Sequence, residues 1–250
     1  MELPAPFYPW QEHIAIDLPG ARAVFTTRRG GVSTGAYATL NLGKLTADDP
    51  AAVERNRDRL QSRIGARLAM IRQVHGPAVL RRRSVSDASG PAPALPLEEA
   101  DGQATNRAGI APMVTTADCL PIALAGGGAV AMLHAGWRGL AEGVIAEGVR
   151  AVQDLVGEGP LAAAIGPGAG GCCYEVGEEV HKRFAGAPPA VRSGRNLDLK
   201  AIARVQLRAA GVADIHDVGL CTICSASELF FSHRRDGGVT GRQAGVAWLN

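Results

Sequence analysis

No stretch of the 250-residue chain is apolar for long enough to cross a bilayer as a helix. The longest apolar run lies between residues 120 and 133 and is broken by Gly126-Gly127-Gly128. A strong charge bias is missing too. Its 26 Lys and Arg against 24 Asp and Glu leave a formal +2, so neither nucleic acid nor a membrane surface is an expected partner. The opening Met1-Glu2-Leu3-Pro4 has neither the basic nor the apolar segment of an export signal. Five cysteines are an odd count, and without an export signal they are expected to be reduced thiols in the cytoplasm, not a disulfide scaffold. What is there suffices for a substantial core: 46% hydrophobic residues over this length fit one large domain or two small ones. Gly90-Pro91-Ala92-Pro93-Ala94-Leu95-Pro96 reads as a surface loop, with no new composition class after it, so residues 1–250 are expected to form a single domain.

The chain is organised around residues 115–139. Apolar runs at 122–125 and 129–133 flank the three glycines, whose tolerance of positive φ marks a β-hairpin. A turn centred on Gly127 pairs Cys119 with Ala135 and Leu120 with His134; a one-residue shift puts Cys119 opposite His134. Either register brings thiol and imidazole to the open end of the hairpin. Such a pair suits a shared metal ion or a Cys/His nucleophile pair. It also suits a small buried hydrophobe beside a satisfied histidine, but the flanking Asp118 and Ala135-Gly136-Trp137-Arg138-Gly139 are polar, charged and Gly-rich, as a site requires.

Along the chain, Val24-Phe25-Thr26-Thr27 is an expected strand, followed by an Arg28-Arg29-Gly30-Gly31 loop able to hold an anion or simply to turn in solvent. Asp49-Pro50 opens a helix with Val53, Leu60 and Ile64 on one face, and Gly65 stops it. Residues 68–74 read as a strand ending at His75-Gly76-Pro77, Arg81-Arg82-Arg83 as a solvated edge, and Asp101-Gly102 as a turn. A helix over 140–156 buries Ala141, Val144, Ile145, Val152 and Leu155, and its start beside His134, with Arg138, favours an anion. A strand at 161–165, the loop Gly166–Gly171 and a helix near 175–184 echo that pattern, with His181 on a solvated face. Asp198 caps a further helix closed by Gly211, and 215–218 is a short strand. Cys221-Thr222-Ile223-Cys224 has metal or redox spacing, a weak signal alone, and spacing does not assign Cys172-Cys173 to it.

Five motifs in order now carry a resemblance: Arg72-Gln73-Val74-His75-Gly76; Thr116-Ala117-Asp118-Cys119-Leu120-Pro121; His134-Ala135-Gly136-Trp137-Arg138-Gly139; Ile165-Gly166-Pro167 with Tyr174-Glu175-Val176; and Phe230-Phe231-Ser232 with Arg234-Arg235. From Phe25 to Trp248 the chain resembles the bacterial YfiH/YlmD family, also called the laccase-domain, polyphenol oxidase or peptidoglycan-editing-factor family. It departs in having Gly168 and His233 where members often have Cys and Tyr. The resemblance implies an α+β fold, a single-domain α/β/β/α sandwich. It implies phosphorolysis of adenosine, inosine, guanosine and methylthioadenosine, together with adenosine deamination, so purine nucleosides and phosphate are the expected partners. It places the family's metal ligands on His75, Cys119 and His134.

Three protein ligands leave a tetrahedral zinc site open, which favours catalysis over a structural role. Deamination at the purine needs a carboxylate proton shuttle, for which Asp118 is the candidate. Phosphorolysis needs cations, and Arg28, Arg138, Arg234 and Arg242 are the candidates. Copper fits less well, since a multicopper centre needs many imidazoles and the chain has six His. The competing readings are a cysteine hydrolase with Cys119 as nucleophile and His134 as base, a polyphenol oxidase, and a non-catalytic factor in cell-wall quality control. Neither preferred nucleoside nor oligomeric state is legible at this level.

Overall fold

In the computed structural model, residues 2–84 and 97–250 are described. The Pro-rich segment 90–96 falls outside them. Fourteen strands are described: β1 Tyr8–Trp10, β2 His13–Leu18, β3 Ala21–Phe25, β4 Arg67–Ala69, β5 Val79–Arg82, β6 Gly102–Thr105, β7 Ile110–Thr116, β8 Leu120–Gly126, β9 Ala129–Ala135, β10 Ala162–Ile165, β11 Arg192–Ser193, β12 Asn196–Leu197, β13 Asp214–Asp217 and β14 Gln243–Leu249. Five α-helices accompany them: α1 Pro50–Ile64, α2 Trp137–Glu142, α3 Val144–Val156, α4 Glu178–Arg183 and α5 Leu199–Ala209.

Two six-stranded sheets form, in the orders β1-β2-β3-β14-β7-β4 and β13-β10-β8-β9-β6-β5. Three apolar layers glue them into the expected α/β/β/α sandwich. Period-2 alternation sorts the residues of β8 and β9 between two of these layers. Leu120, Ile122, Leu124 and Leu133 face Val144, Ile145, Val149 and Val152 of α3 and Ile202 of α5. Ala123, Ala125, Val130 and Met132 face Ile14, Ile16, Phe25 and Val114 of the other sheet. Leu60 and Ile64 of α1 cover that sheet's far side with Leu68, Met113 and Val246. Small residues between the sheets allow close approach: a Cβ on Gly166 would lie 2.3 Å from the Phe25 ring.

Helix α1 forms as its signals dictate, with Asp49 accepting from Ala51 N, Pro50 leading, and Gly65 closing at φ 75°. Elsewhere tertiary packing overrides local pattern. The hairpin takes neither expected register but slips one residue the other way: Gly126 pairs with Ala129, Leu120 with Ala135 and Pro121 with His134. Gly127 and Gly128 both have positive φ, which makes a two-residue turn. Cys119 thus lies just outside the ladder. The strand expected over 68–74 ends at Ala69, where its pairing with β7 stops, and Arg72 pairs instead with Glu99 in an isolated bridge. The helix over 140–156 is two helices, broken at Gly143 with φ 91°. The helix expected over 175–184 shrinks to Glu178–Arg183, and its His181 is buried, bonding Arg195 O at 3.2 Å. The arginine run is no solvated edge: Arg82 is buried and bonds Gln103, while Arg81 reaches Glu147 and Asp154. Asp101-Gly102 is no turn, since Gly102 begins β6 and Asp101 is wholly buried.

Candidate metal centre and adjoining cavity

Three chain segments converge at the open end of the hairpin. His134 sits near the end of β9, Cys119 just before β8, and His75 in a loop with φ 64°. One ligand atom from each lies within 4.8 Å of the others. The two imidazoles meet edge to face, with ring centroids 4.9 Å apart. Gly136 makes room: a Cβ there would lie 2.8 Å from Cys119 Sγ and 3.5 Å from His75 Cδ2. Thiolate and imidazole nitrogens in one pocket are a donor set suited to zinc, and three of them leave a position open.

Asp101 is the residue that sequence reading missed. Its Oδ1 accepts from His134 Nδ1 at 2.7 Å, fixing that ring and leaving Nε2 for the site. Its Oδ2 accepts from Val74 N and Gly76 N at 3.1 and 2.7 Å, which holds the loop carrying His75. Burial alone would raise the Asp101 pKa, but the bond and charge of His134 hold it below the usual carboxylate range. An Asp-Gly pair looks like turn chemistry, and the Gln103-Ala104-Thr105 that follows gives no sequence signal that it is buried.

Electrostatics couple the thiol and the imidazole. Burial pushes the Cys119 thiol up, yet the His134 charge and hydrogen bonds from both histidines bring it down to about 6. Burial lowers His134, and the Cys119 charge with the Asp101 bond carries it up to about 9. Both shifts run in the direction that favours a thiolate beside an imidazolium.

Asp118 lies beside Cys119 at φ 97°, an unusual conformation held by its own side chain. Oδ1 accepts from Thr222 Oγ1 at 2.7 Å and Oδ2 from Arg234 N at 2.8 Å. Both oxygens are engaged within the protein, which suits a clamp more than a proton shuttle. Arg138 is exposed at the start of α2 and stacks 4.4 Å over the Trp137 ring. Arg234 lies 5.2 Å over Tyr174 and donates to Glu175 O. Together with Glu175, Val176, Val180 and Arg195, these four residues line a cavity of about 360 Å³. Two of its lining residues, Trp137 and Arg138, directly follow Gly136, which packs against Cys119 and His75. Burial and the nearby Cys119 charge push Tyr174 up to about 12, so its hydroxyl stays protonated there. Arg242 donates to Thr240 O and Gly241 O, and feels the Asp118 and Cys119 charges. Arg28 is not brought to this cluster: its guanidinium donates to Ala38 O and Ser227 O and stacks 4.3 Å over Phe231.

Comparison with known proteins agrees on one family. Residues 22–250 match the multi-copper polyphenol oxidoreductase laccase family. A purine nucleoside phosphorylase of Streptomyces griseus is 40% identical over 243 residues, covering 92% of this chain and 95% of that protein. A purine nucleoside phosphorylase of Pseudomonas aeruginosa is 39% identical, covering 91% and 93%. Among solved structures, YlmD from Geobacillus stearothermophilus superposes with a TM-score of 0.88 at 34% identity, covering 99% of this chain and all of that one. YfiH from Bacillus licheniformis gives 0.90 at 30% identity, covering 98% and 100%.

Proposed function

The chain belongs to the multi-copper polyphenol oxidoreductase laccase family, with YfiH and YlmD as structural neighbours, and from that footing we propose that it is a zinc-dependent purine nucleoside phosphorylase. The observation that carries the reading is the open cluster of His75, Cys119 and His134 beside a cavity lined by Arg138 and Arg234. These three side chains would hold the metal, which when bound would supply Lewis acidity to a substrate oxygen at the edge of the cavity. Asp101 fixes the His134 ring and the His75 loop, so the donor set is preorganised. Arg138 and Arg234 supply the positive charge that phosphate and the developing negative charge need. Tyr174 offers a protonated hydroxyl toward the same space. In phosphorolysis a phosphate oxygen forms the bond to C1′ as the C1′–N9 bond breaks. The electron pair goes to the purine, which takes up a proton. Adenosine, inosine, guanosine and methylthioadenosine are the proposed substrates, and adenosine deamination a second activity of the same site. Arg242, close to Asp118 and Cys119, is kept as a third phosphate contact, while Arg28, bonded to backbone carbonyls, is not. The donor set speaks against a multicopper oxidase: only two imidazoles join the cluster, with His13, His181 and His216 engaged elsewhere.

Product analysis tests this directly. Inosine is expected to give hypoxanthine and ribose 1-phosphate only when phosphate is present, and Arg138→Ala to raise the phosphate concentration needed for half-maximal rate about tenfold. Free ribose formed without phosphate would refute phosphorolysis. A cysteine hydrolase is the second reading, favoured by the lowered pKa of the Cys119 thiol. The two separate on chelation. A metal-held Cys119 alkylates slowly until zinc is stripped, and activity goes with the metal. A nucleophilic Cys119 alkylates at once, and activity survives chelation.

A further inference from the structure

Four of the five cysteines take no part in the site described above, and they lie together. Strands β10 and β13 are parallel neighbours, with Ile165 opposite Asp217. Both therefore release their following loops at the same edge of the sheet. The pairing continues in an isolated bridge between Gly168 and Cys221, with Thr222 N donating to Gly168 O at 3.1 Å. One loop then turns through Gly170–Tyr174 and the other through Cys221–Ser225, each closed by backbone hydrogen bonds. This brings Cys172 and Cys173 against Cys221 and Cys224, with all four Sγ atoms within 4.8 Å of one another.

We propose that Cys172, Cys173, Cys221 and Cys224 form a second metal site, a closed tetrahedral zinc site with four thiolate ligands. The spacing supports it. Zinc–sulfur bonds of about 2.3 Å in a tetrahedron set sulfurs roughly 3.8 Å apart. Cys172 and Cys224 stand at 3.6 Å, far beyond a disulfide bond of about 2.05 Å. The surroundings are those of a thiolate cluster. Gly170 N donates to Cys221 Sγ at 3.2 Å, and a Cβ on Gly170 would lie 3.0 Å from Cys172 Sγ, a tight approach of the backbone to the sulfurs. The buried Lys200 ammonium donates to Leu220 O at 2.6 Å, next in the chain to Cys221, and lies 3.7 Å from Asp217. On binding, each coordinating thiol releases its proton to solvent.

Four protein ligands make this a structural site. It would staple the loop after β10 to the loop after β13. Thr222, between two of the ligands, donates to Asp118 Oδ1, and Ala169 N donates to Asp118 O at 2.7 Å. The staple therefore braces the residue beside Cys119.

Zinc content of protein purified under reducing conditions tests the proposal independently of the phosphorylase reading. Cys119→Ser keeps all four cysteines and is expected to retain one zinc per chain, whereas Cys221→Ser with Cys224→Ser is expected to hold one fewer than wild type. Cobalt loaded into Cys119→Ser should show sulfur-to-metal charge transfer and the intense d–d bands of tetrahedral four-thiolate coordination. If the double variant does not fold, these two measurements on Cys119→Ser decide. Cys119→Ser protein without zinc, or cobalt bands of lower thiolate number, would overturn the site. So would native protein whose four cysteines resist alkylation until reduced, since that would mean disulfides.

Discussion

At the scale of single residues, the chemistry depends on side chains whose partners lie far away in sequence. Asp101 bonds across 33 positions to His134, and Asp118 across 104 to Thr222. Each sets an orientation without entering the donor cluster. Asp101→Asn keeps the size but turns one acceptor into a donor, facing either the His134 Nδ1–H or the amides of Val74 and Gly76. Metal affinity is expected to fall about 10–100-fold, read by competition with a chelator of known affinity. The folded state should persist, since Asn can still accept from one side. Unchanged affinity would mean that His134 is oriented by the backbone alone.

At the scale of elements, the β8–β9 hairpin and its exit into α2 build the centre. The hairpin is buried along its whole length, so a frame shift would drive leucines out of the α3 layer, and the register is strongly specified. Gly136, at the N-cap of α2, has an ordinary extended backbone, with φ −81° and ψ 175°. Ala is therefore conformationally acceptable there, and the collision is with Cys119 Sγ alone. Gly136→Ala is expected to lose the zinc of the His75, Cys119 and His134 cluster while its thermal midpoint, compared metal-free, stays within a few degrees of wild type. Equal loss of metal and of metal-free stability would place the glycine's role in folding and not in the site. The C-x-x-C motif was visible as a string, but its partner pair joins it only because β10 and β13 run parallel.

At the scale of the whole molecule, three apolar layers hold two sheets and their helices, and protonation of buried groups acts on all of them together. His13, on β2, is buried; its Nδ1 accepts from Thr27 N, which holds the ring neutral. Burial first, and then the Arg63 charge, depress its pKa from 6.5 to about 4. Between those values the unfolded chain binds the extra proton. His13's contribution to stability is thus complete above about pH 6.5 and is lost as pH falls toward 4, on the order of 3 kcal/mol in all. Denaturant unfolding at successive pH values should show wild type losing more stability over this window than His13→Asn. Parallel curves would remove His13 from the acid sensitivity.

The sequence by itself determined whatever depends on near neighbours or on strict periodicity. Asp49-Pro50 through Gly65 forms the helix its caps specify, because capping is settled within a few residues. The alternation in β8 and β9 and the glycines between them made the hairpin legible, and the five motifs made the sandwich legible as a resemblance. Only the tertiary structure decided what depends on partners brought from afar. It set the two-residue turn that leaves Cys119 outside the ladder, and it buried Asp101 and Arg82, which local polarity had placed at the surface. It also separated Arg28, tied to backbone carbonyls, from Arg138 and Arg234 on the cavity wall. A polar side chain pays for burial only through its partner, and a chain read in order does not say where that partner is.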